Sequence, residues 1–159
     1  MRIHLTPFTK SLISKNYLKW VNDKKITKYT SLNKKISKDE LKNYVIDCKN
    51  NHKINLFKIF YMKKHVGNLR ISKLFKSNAT IGILIGEKKY HNKGIGFISI
   101  KKATNISKKI GYEIIYIFLN KKNISSLKIF LKNGYKIQKN IPQKIKLKKS
   151  DYLLKKRLL

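Results

Sequence analysis

The stretch that most constrains this chain is Ala79–Gly86, ATIGILIG. It is apolar at consecutive positions, so both faces of a strand built from it need cover, and it is read as the central strand of a sheet with helices on either side. A basic polar loop, EKKYHNK, follows directly, and then GIGFISIKKATNISKKIG. That segment has apolar residues at Ile95, Ile98, Ala103, Ile106 and Ile110, which predicts a helix closed by Gly111. A strand, a loop and a helix opened by Gly94 and Gly96 can hold a phosphate. The first N–H groups of a helix lack intrahelical acceptors and lie at the positive end of its dipole. Alone, G-x-G also fits a plain structural turn.

The flanking sequence supplies the cover. RIHLTPF predicts a first strand stopped by Pro7. TKSLISKNYLKWVND carries Leu12, Ile13, Tyr17, Trp20 and Val21 at helical spacing, with Thr9 or Ser11 as its cap. After a polar loop, SKDELKNYVIDCKN has the S-x-x-E capping box at Ser37 and Glu40, with Leu41, Tyr44, Val45 and Cys48 on one face. NLFKIFYM and HVGNLRISKLF predict a hairpin joined by a tight KK turn. Beyond the central strand, EIIYIFL reads as another buried strand. ISSLKIFLKNG reads as a helix with Leu127, Phe130 and Leu131 inward, and YKIQKNI and DYLLKKRLL read as closing strands. The order β-α-α-β-β-β-α-β-α-β-β, without a visible linker or repeat, predicts one mixed α/β (α+β) domain over residues 1–159 with a single central sheet.

Composition removes several classes. There is no long uncharged apolar run for a membrane span, and no apolar segment of the secretory kind near the start, so a soluble cytoplasmic protein is expected. Cys48 is the only cysteine, which rules out an internal disulfide. The 39 basic against 7 acidic residues give a net charge of +32. Only Arg2, Arg70 and Arg157 are arginine, however, and the lysines are spread along the whole chain. Lysine, isoleucine and asparagine share A/T-rich codons, so the charge is read as compositional, with no specific nucleic-acid surface. It still favours anionic ligands over cationic ones. His4, His52 and His65 have no metal-ligand spacing and read as structural or surface residues; no metal is expected.

The dinucleotide fingerprint fails, because its third glycine position is Ser99, and no G-x-x-x-x-G-K-S/T is present. A second motif stands downstream, NKKNISSLKIFLKNGYKI. Together, Tyr90-His91-Asn92-Lys93-Gly94-Ile95-Gly96 and Asn123, Ser126, Phe130, Lys132, Gly134 and Tyr135 resemble the two signature motifs of the GCN5-related N-acetyltransferase (GNAT) superfamily. The likeness extends to NYLKWVND, LFKIF, HVGNLRI and SDYLL. It runs over essentially the whole chain, near the branches acting on aminosugars and on ribosomal-protein N-termini.

The resemblance implies a mostly antiparallel mixed sheet and acetyl-CoA as co-substrate. Ile83, Leu84 and Ile85, up to Gly86, would offer backbone groups to the pantetheine arm. His91, Asn92, Lys93, Gly94, Ile95 and Gly96 would cradle the pyrophosphate, with N–H groups from Asn92 to Gly96 and the charge of Lys93. Asn123 matches the position beside the cofactor arm, and it also fits a helix N-cap. Phe130 stands where many members carry an acid tyrosine. It cannot donate a proton, so water or Ser126 is left for that role, or the thiolate leaves without an acid. His91 replaces the usual arginine, glutamine or tryptophan.

Elimination among the seven carboxylates narrows the base. Asp39 and Glu40 fit a helix start, Asp47 a helix's polar side, Glu113 a turn and Asp151 a strand start. Glu87, ending the cofactor strand, is the better placed of the remaining two to take a proton from an ammonium; it equally fits a solvated residue balancing Lys88 and Lys89. Trp20, Asn22 and Asp23 are expected to shape the acceptor pocket. Cys48, on an apolar helix face, is a poor nucleophile. The expected reaction is direct acetyl transfer to a primary amine of a nucleotide-linked aminosugar for bacterial surface glycans. Acetylation of a protein N-terminus is the alternative, and a basic RNA- or membrane-binding module on the same fold is the reading from another class. Relatives of this kind also form homodimers.

Overall fold

The computed structural model describes residues 2–8, 13–32 and 34–158. The chain runs through β1 (Ile3–Pro7), α1 (Lys15–Asn22), α2 (Lys24–Thr27), α3 (Lys38–Asn50), β2 (Ile54–Tyr61), β3 (Lys64–Lys73) and β4 (Asn78–Ile85). It continues with α4 (Ile95–Ile110), β5 (Ile114–Asn120), α5 (Ile124–Lys132), β6 (Lys136–Ile137) and β7 (Asp151–Arg157). The strands form one sheet in the order β1-β2-β3-β4-β5-β7-β6, which puts the ATIGILIG strand in the middle. Neighbours are antiparallel except β4 and β5. This is the mixed, mostly antiparallel sheet expected from the sequence.

Both faces of the sheet are covered, as an apolar central strand demands. On one side α4 and α5 pack with Ile59, Leu69, Ile71, Ile81, Ile115 and Ile117 into the main core. On the other, α1 and α3 bring Tyr17, Trp20, Val21, Leu41, Val45 and Cys48 against Phe8 and Leu56. A fully buried isoleucine or leucine contributes about 1.5–3 kcal/mol, so these two layers carry the fold. The capping box of α3 is present as expected, and Pro7 sits at the end of an edge strand, where a missing N–H does no harm.

Several expectations are corrected. The cap of α1 is Ser14, whose Oγ accepts from the Tyr17 N–H; Thr9, Ser11 and Leu12 lie outside the described residues. The loop after α1 contains the single-turn helix α2, capped by Asp23. The hairpin turns at Met62 and Lys63, both at positive φ (47° and 63°), with Lys64 already in β3. Only Lys136–Ile137 of YKIQKNI forms a strand.

The buried face of α4 agrees with the predicted one in part: Ile95 and Ala103 are buried as expected, and Ile98 and Ile106 pack at its margin. Ile95, Ser99, Ile100, Ala103, Thr104 and Ser107 face inward, whereas Ile110 is 46% exposed. Small side chains let α4 lie close on the sheet. Thr104 meets its polar need by donating to the Ile100 carbonyl and sharing a hydrogen bond with the Tyr135 hydroxyl, both at 2.9 Å. In α5, Phe130 is buried as expected, but Leu131 is 44% exposed.

Candidate active site

The site begins where β4 and β5 part. Their parallel pairing covers only Asn78–Thr80 against Ile114–Tyr116. Beyond it β4 continues to Ile85 paired on the β3 side alone. In an antiparallel ladder, alternate residues turn their backbone groups to opposite edges. The Leu84 carbonyl faces β3, since a Cβ on Gly67 would lie 2.3 Å from it. Ile83 and Ile85 therefore direct their N–H and C=O into the gap. One of these groups is already engaged: the His91 Nε2–H donates to the Ile85 carbonyl at 2.8 Å. Of the three strand residues expected to serve a ligand through the backbone, Ile83 and Ile85 have that orientation and Leu84 does not.

Beyond β4 the chain makes a 3-10 turn at Lys88–Tyr90 and passes Asn92 (φ 60°) and Gly94 (φ 73°), both left-handed, into α4. Gly94 is the N-cap and has no side chain to accept from the helix. The other helices are each capped by an oxygen of their own: Ser14, Asp23, Ser37 and Asn123. The first N–H groups of α4 are thus free to meet an external acceptor at the positive end of a 16-residue helix. Lys93 lies in the same loop, its Nζ 5.7 Å from the Tyr90 ring centroid. At Gly96 a Cβ would come 3.0 Å from Ile129 Cδ1, the tip of an α5 side chain, so this glycine also eases the contact between α4 and α5.

On the α1 side, Gly86, Trp20 and Glu87 interlock. A Cβ on Gly86 would lie 1.9 Å from Trp20 Cδ2, so the indole rests directly on the backbone. Its Nε1–H donates to Glu87 Oε1 at 3.3 Å. His65 packs edge-on to the indole at 5.0 Å between centroids. The Asn68 amide oxygen accepts from His65 Nε2 at 3.0 Å, and Nδ1 faces Ser14 Oγ at 3.5 Å. Burial lowers the pKa of His65 and keeps the ring neutral near pH 7. His65 is therefore a structural residue as expected, but one that backs the site. Nothing in its spacing announced this, because Ser14 and Trp20 come from the distant α1 and only Asn68 is near in sequence.

Asn22 and Asp23 are committed locally. Both amide hydrogens of Asn22 go to main-chain carbonyls, Leu18 at 3.0 Å and Ile36 at 2.9 Å, and its oxygen accepts from the Ile36 N–H at 2.8 Å. Asp23 accepts from Lys88 at 2.6 Å and caps α2. The hydrogen bond from Lys88 is the main cause of its lowered pKa. Together with Lys15, Leu18 and Lys19 these residues line an open depression of about 500 Å³.

Across the gap, Asn123 Oδ1 accepts from the Ser126 N–H at 3.2 Å, so the N-cap role holds. Phe130 is buried, edge-on to Tyr135 at 5.2 Å. The Tyr135 hydroxyl is bonded to Thr104, and burial pushes its pKa up to about 12. Phe130 has no acidic proton and that of Tyr135 is engaged by Thr104; Ser126, in the same motif, is half-buried. Cys48 is buried in α3. Among the described residues no group of three His, Cys, Asp or Glu is placed to hold a metal, and no helix is long and apolar enough to cross a membrane.

Residues 2–136 match the sequence profile of the acetyltransferase (GNAT) domain. A curated relative, an uncharacterized protein of Methanocaldococcus jannaschii, is 37% identical over 73 residues, which is 46% of this chain and 15% of that protein. The chain thus spans only a small part of that relative. Among solved structures, a domain from M. jannaschii superimposes with a TM-score of 0.76 at 22% identity, covering 98% of both chains. The spermidine N-acetyltransferase of Vibrio cholerae, solved with CoA and spermine, gives a TM-score of 0.73 at 15% identity, over 96% of this chain and 92% of that one.

Proposed function

The chain belongs to the GNAT acetyltransferase domain family, and from that premise we propose that residues 1–159 form one acetyltransferase domain moving an acetyl group from acetyl-CoA to a primary amine. The observation that carries the reading is the uncapped start of α4 at the end of a splayed central strand. The N–H groups from Asn92 to Gly96, with Lys93, are suited to the pyrophosphate, and the free backbone edge at Ile83 and Ile85 to the amides of the pantetheine arm. Acetyl-CoA supplies the activated acyl group. Binding requires His91 to release the Ile85 carbonyl.

Glu87 is the base in this reading. It stands at the end of β4 beside the gap, and its carboxylate takes the proton of the acceptor ammonium directly or through water. Asn123 and Ser126 border the other side, with Ser126 or water returning a proton to the departing thiolate. Cys48 is enclosed in α3, which favours direct transfer without an acyl-enzyme.

The acceptor we favour is anionic, of the nucleotide-linked aminosugar kind used in bacterial surface glycans and made in the cytoplasm. The site has few acids to bind a polycation: Asp23 is paired with Lys88, and Glu87 is held by an indole. Lys15 and Lys19 line the adjoining depression, and the net charge of +32 attracts a diphosphate. Fold alone does not select the amine, since the V. cholerae neighbour was solved with spermine. A panel of nucleotide-linked aminosugars, spermidine and peptides, incubated with acetyl-CoA and followed by thiol release, tests this. Fastest turnover with an aminosugar is expected, and faster turnover of spermidine contradicts the electrostatic argument.

A further inference from the structure

Trp20 occupies an unusual position for a core residue. It is 3% exposed and packed among the side chains of α1 and α3, yet its one polar atom meets the carboxylate of Glu87, 67 residues away. We infer that Trp20 is the positioning residue of Glu87, fixing the direction in which that carboxylate faces the acceptor amine. The inference rests on the reading of Glu87 as the base.

Three features support it. First, the contact depends on a backbone adaptation. Only glycine fits at position 86, because a Cβ there would lie within 1.9–2.5 Å of three indole atoms. The ring can lie across the strand next to Glu87 only because the residue before Glu87 is Gly86. Second, the ring is held from behind. His65 meets it edge-on, and His65 is itself tied to Asn68 on β3 and faces Ser14 at the start of α1. The indole therefore has little freedom to swing, and a hydrogen bond from a fixed donor fixes its acceptor.

Third, the basic groups next to Glu87 in the chain and behind the indole are occupied or uncharged. Lys88, next in the chain, is paired with Asp23 at 2.6 Å. Lys89 points its ammonium at the Tyr90 ring, 5.3 Å from the centroid. His91 is spent on the Ile85 carbonyl, and His65 is kept neutral by burial. A lysine at hydrogen-bond distance would hold a carboxylate strongly in its charged form. An indole N–H orients it with a weaker grip and leaves its second oxygen available for a proton. The Asp23–Lys88 pair accordingly acts as a decoy that keeps a cation off the base.

A buried indole also needs a partner for its own N–H, and the test separates that structural need from positioning. Trp20 is the only tryptophan, so an ¹⁵N spectrum of the protein holds one indole N–H resonance. Glu87→Gln is expected to move this resonance, while Lys89→Ala leaves it in place. Trp20→Phe keeps an aromatic ring and removes the donor. With acetyl-CoA and the best amine of the panel, it should lower kcat about tenfold or more while the KM values stay within about twofold. Added to Glu87→Gln it should cost nothing further, because the group it positions is already gone.

Equal kcat losses in both backgrounds, or unchanged kcat in Trp20→Phe, overturn the inference and leave the base reading standing. Full turnover by Glu87→Gln overturns the base reading and the positioning with it. Should Trp20→Phe fold poorly, the resonance decides alone: an indole signal unmoved by Glu87→Gln refutes the contact.

Discussion

At the start of α3, Ser37 Oγ accepts from the Glu40 N–H at 3.1 Å, Glu40 Oε2 accepts from the Ser37 N–H at 2.7 Å, and Lys34 adds an ion pair at 2.8 Å. At the start of α4, Gly94 stands left-handed at φ 73° and offers the helix nothing. Both helices have the same four donors to satisfy at this end. Helix α3 satisfies its donors from its own sequence and gains stability without a ligand. Helix α4 goes without that local stabilisation, about 1 kcal/mol for a typical cap, and its first donors have no side-chain cap. That open start beside a splayed strand is the feature on which the proposed cofactor site rests.

The largest expected effect comes from closing the open start. Gly94→Asp sets a carboxylate where a pyrophosphate should lie. Asp tolerates the left-handed region better than most residues, so the fold should survive. Wild-type protein should gain about 2.7 kcal/mol of stability at a hundredfold excess of acetyl-CoA over its Kd, read from the melting transition, and Gly94→Asp should gain none.

Ser37→Ala is the converse. It should cost about 1 kcal/mol in chemical denaturation and leave acetyl-CoA affinity within about twofold of wild type. An affinity loss matching that of Gly94→Asp would mean that the two helix starts do not differ in the way described.

A smaller effect concerns acid. The hydrogen bond from Lys34, with that from the Ser37 N–H, lowers Glu40 from 4.5 to about 2. A depressed folded pKa contributes stability above the unfolded value and loses it as pH falls through the folded one. The melting-temperature advantage of wild type over Glu40→Gln should thus persist above about pH 4.5 and fade toward pH 2. Salt should reduce it throughout, because the pair is exposed. A constant advantage across that window would show that the capping box owes nothing to the charge.

The smallest change is at His91. If its hydrogen bond to Ile85 covers a carbonyl that acetyl-CoA needs, His91→Ala should tighten binding by about two- to threefold in calorimetry, the worth of a weak hydrogen bond. Weaker binding would show that the imidazole contacts the cofactor itself, as the family resemblance implied.

The same two helices show what the sequence could reveal. The capping box of α3 is local: Ser37 and Glu40 lie three residues apart, and their types state the geometry. The order of elements was legible for a similar reason, since period and punctuation are local signals. The inner face of α4 was legible only in part. The apolar pattern found Ile95 and Ala103, which are buried, but the close approach to the sheet also selects Ser99, Thr104 and Ser107, which a hydrophobicity count passes over, and it leaves Ile110 exposed.

Within the candidate site, the loop from His91 to Gly96 stood out only when read with the downstream motif from Asn123 to Tyr135, since its glycines alone also fit a plain turn. Which strand residues turn toward the gap was not, because it depends on the register between Gly67 and Ile85 and on where β5 departs. The contact between Trp20 and Glu87 joins residues with no local relation. Its only trace in the sequence is Gly86, whose need for a bare backbone becomes clear once the indole is seen lying on it. Asn22, adjacent to the site in sequence, is instead tied to Ile36.

In the proposed function the donors at the start of α4 receive the pyrophosphate, while those of α3 are satisfied within the chain. Backbone ¹H–¹⁵N spectra recorded while acetyl-CoA is titrated into the protein tell the two helix starts apart. The N–H resonances of Lys93 to Phe97 should shift strongly and saturably, and those of Lys38 to Leu41 should stay in place. Saturable binding that moves scattered lysine-rich segments and leaves Gly94 and Gly96 unmoved would rule out the start of α4 as the cofactor site.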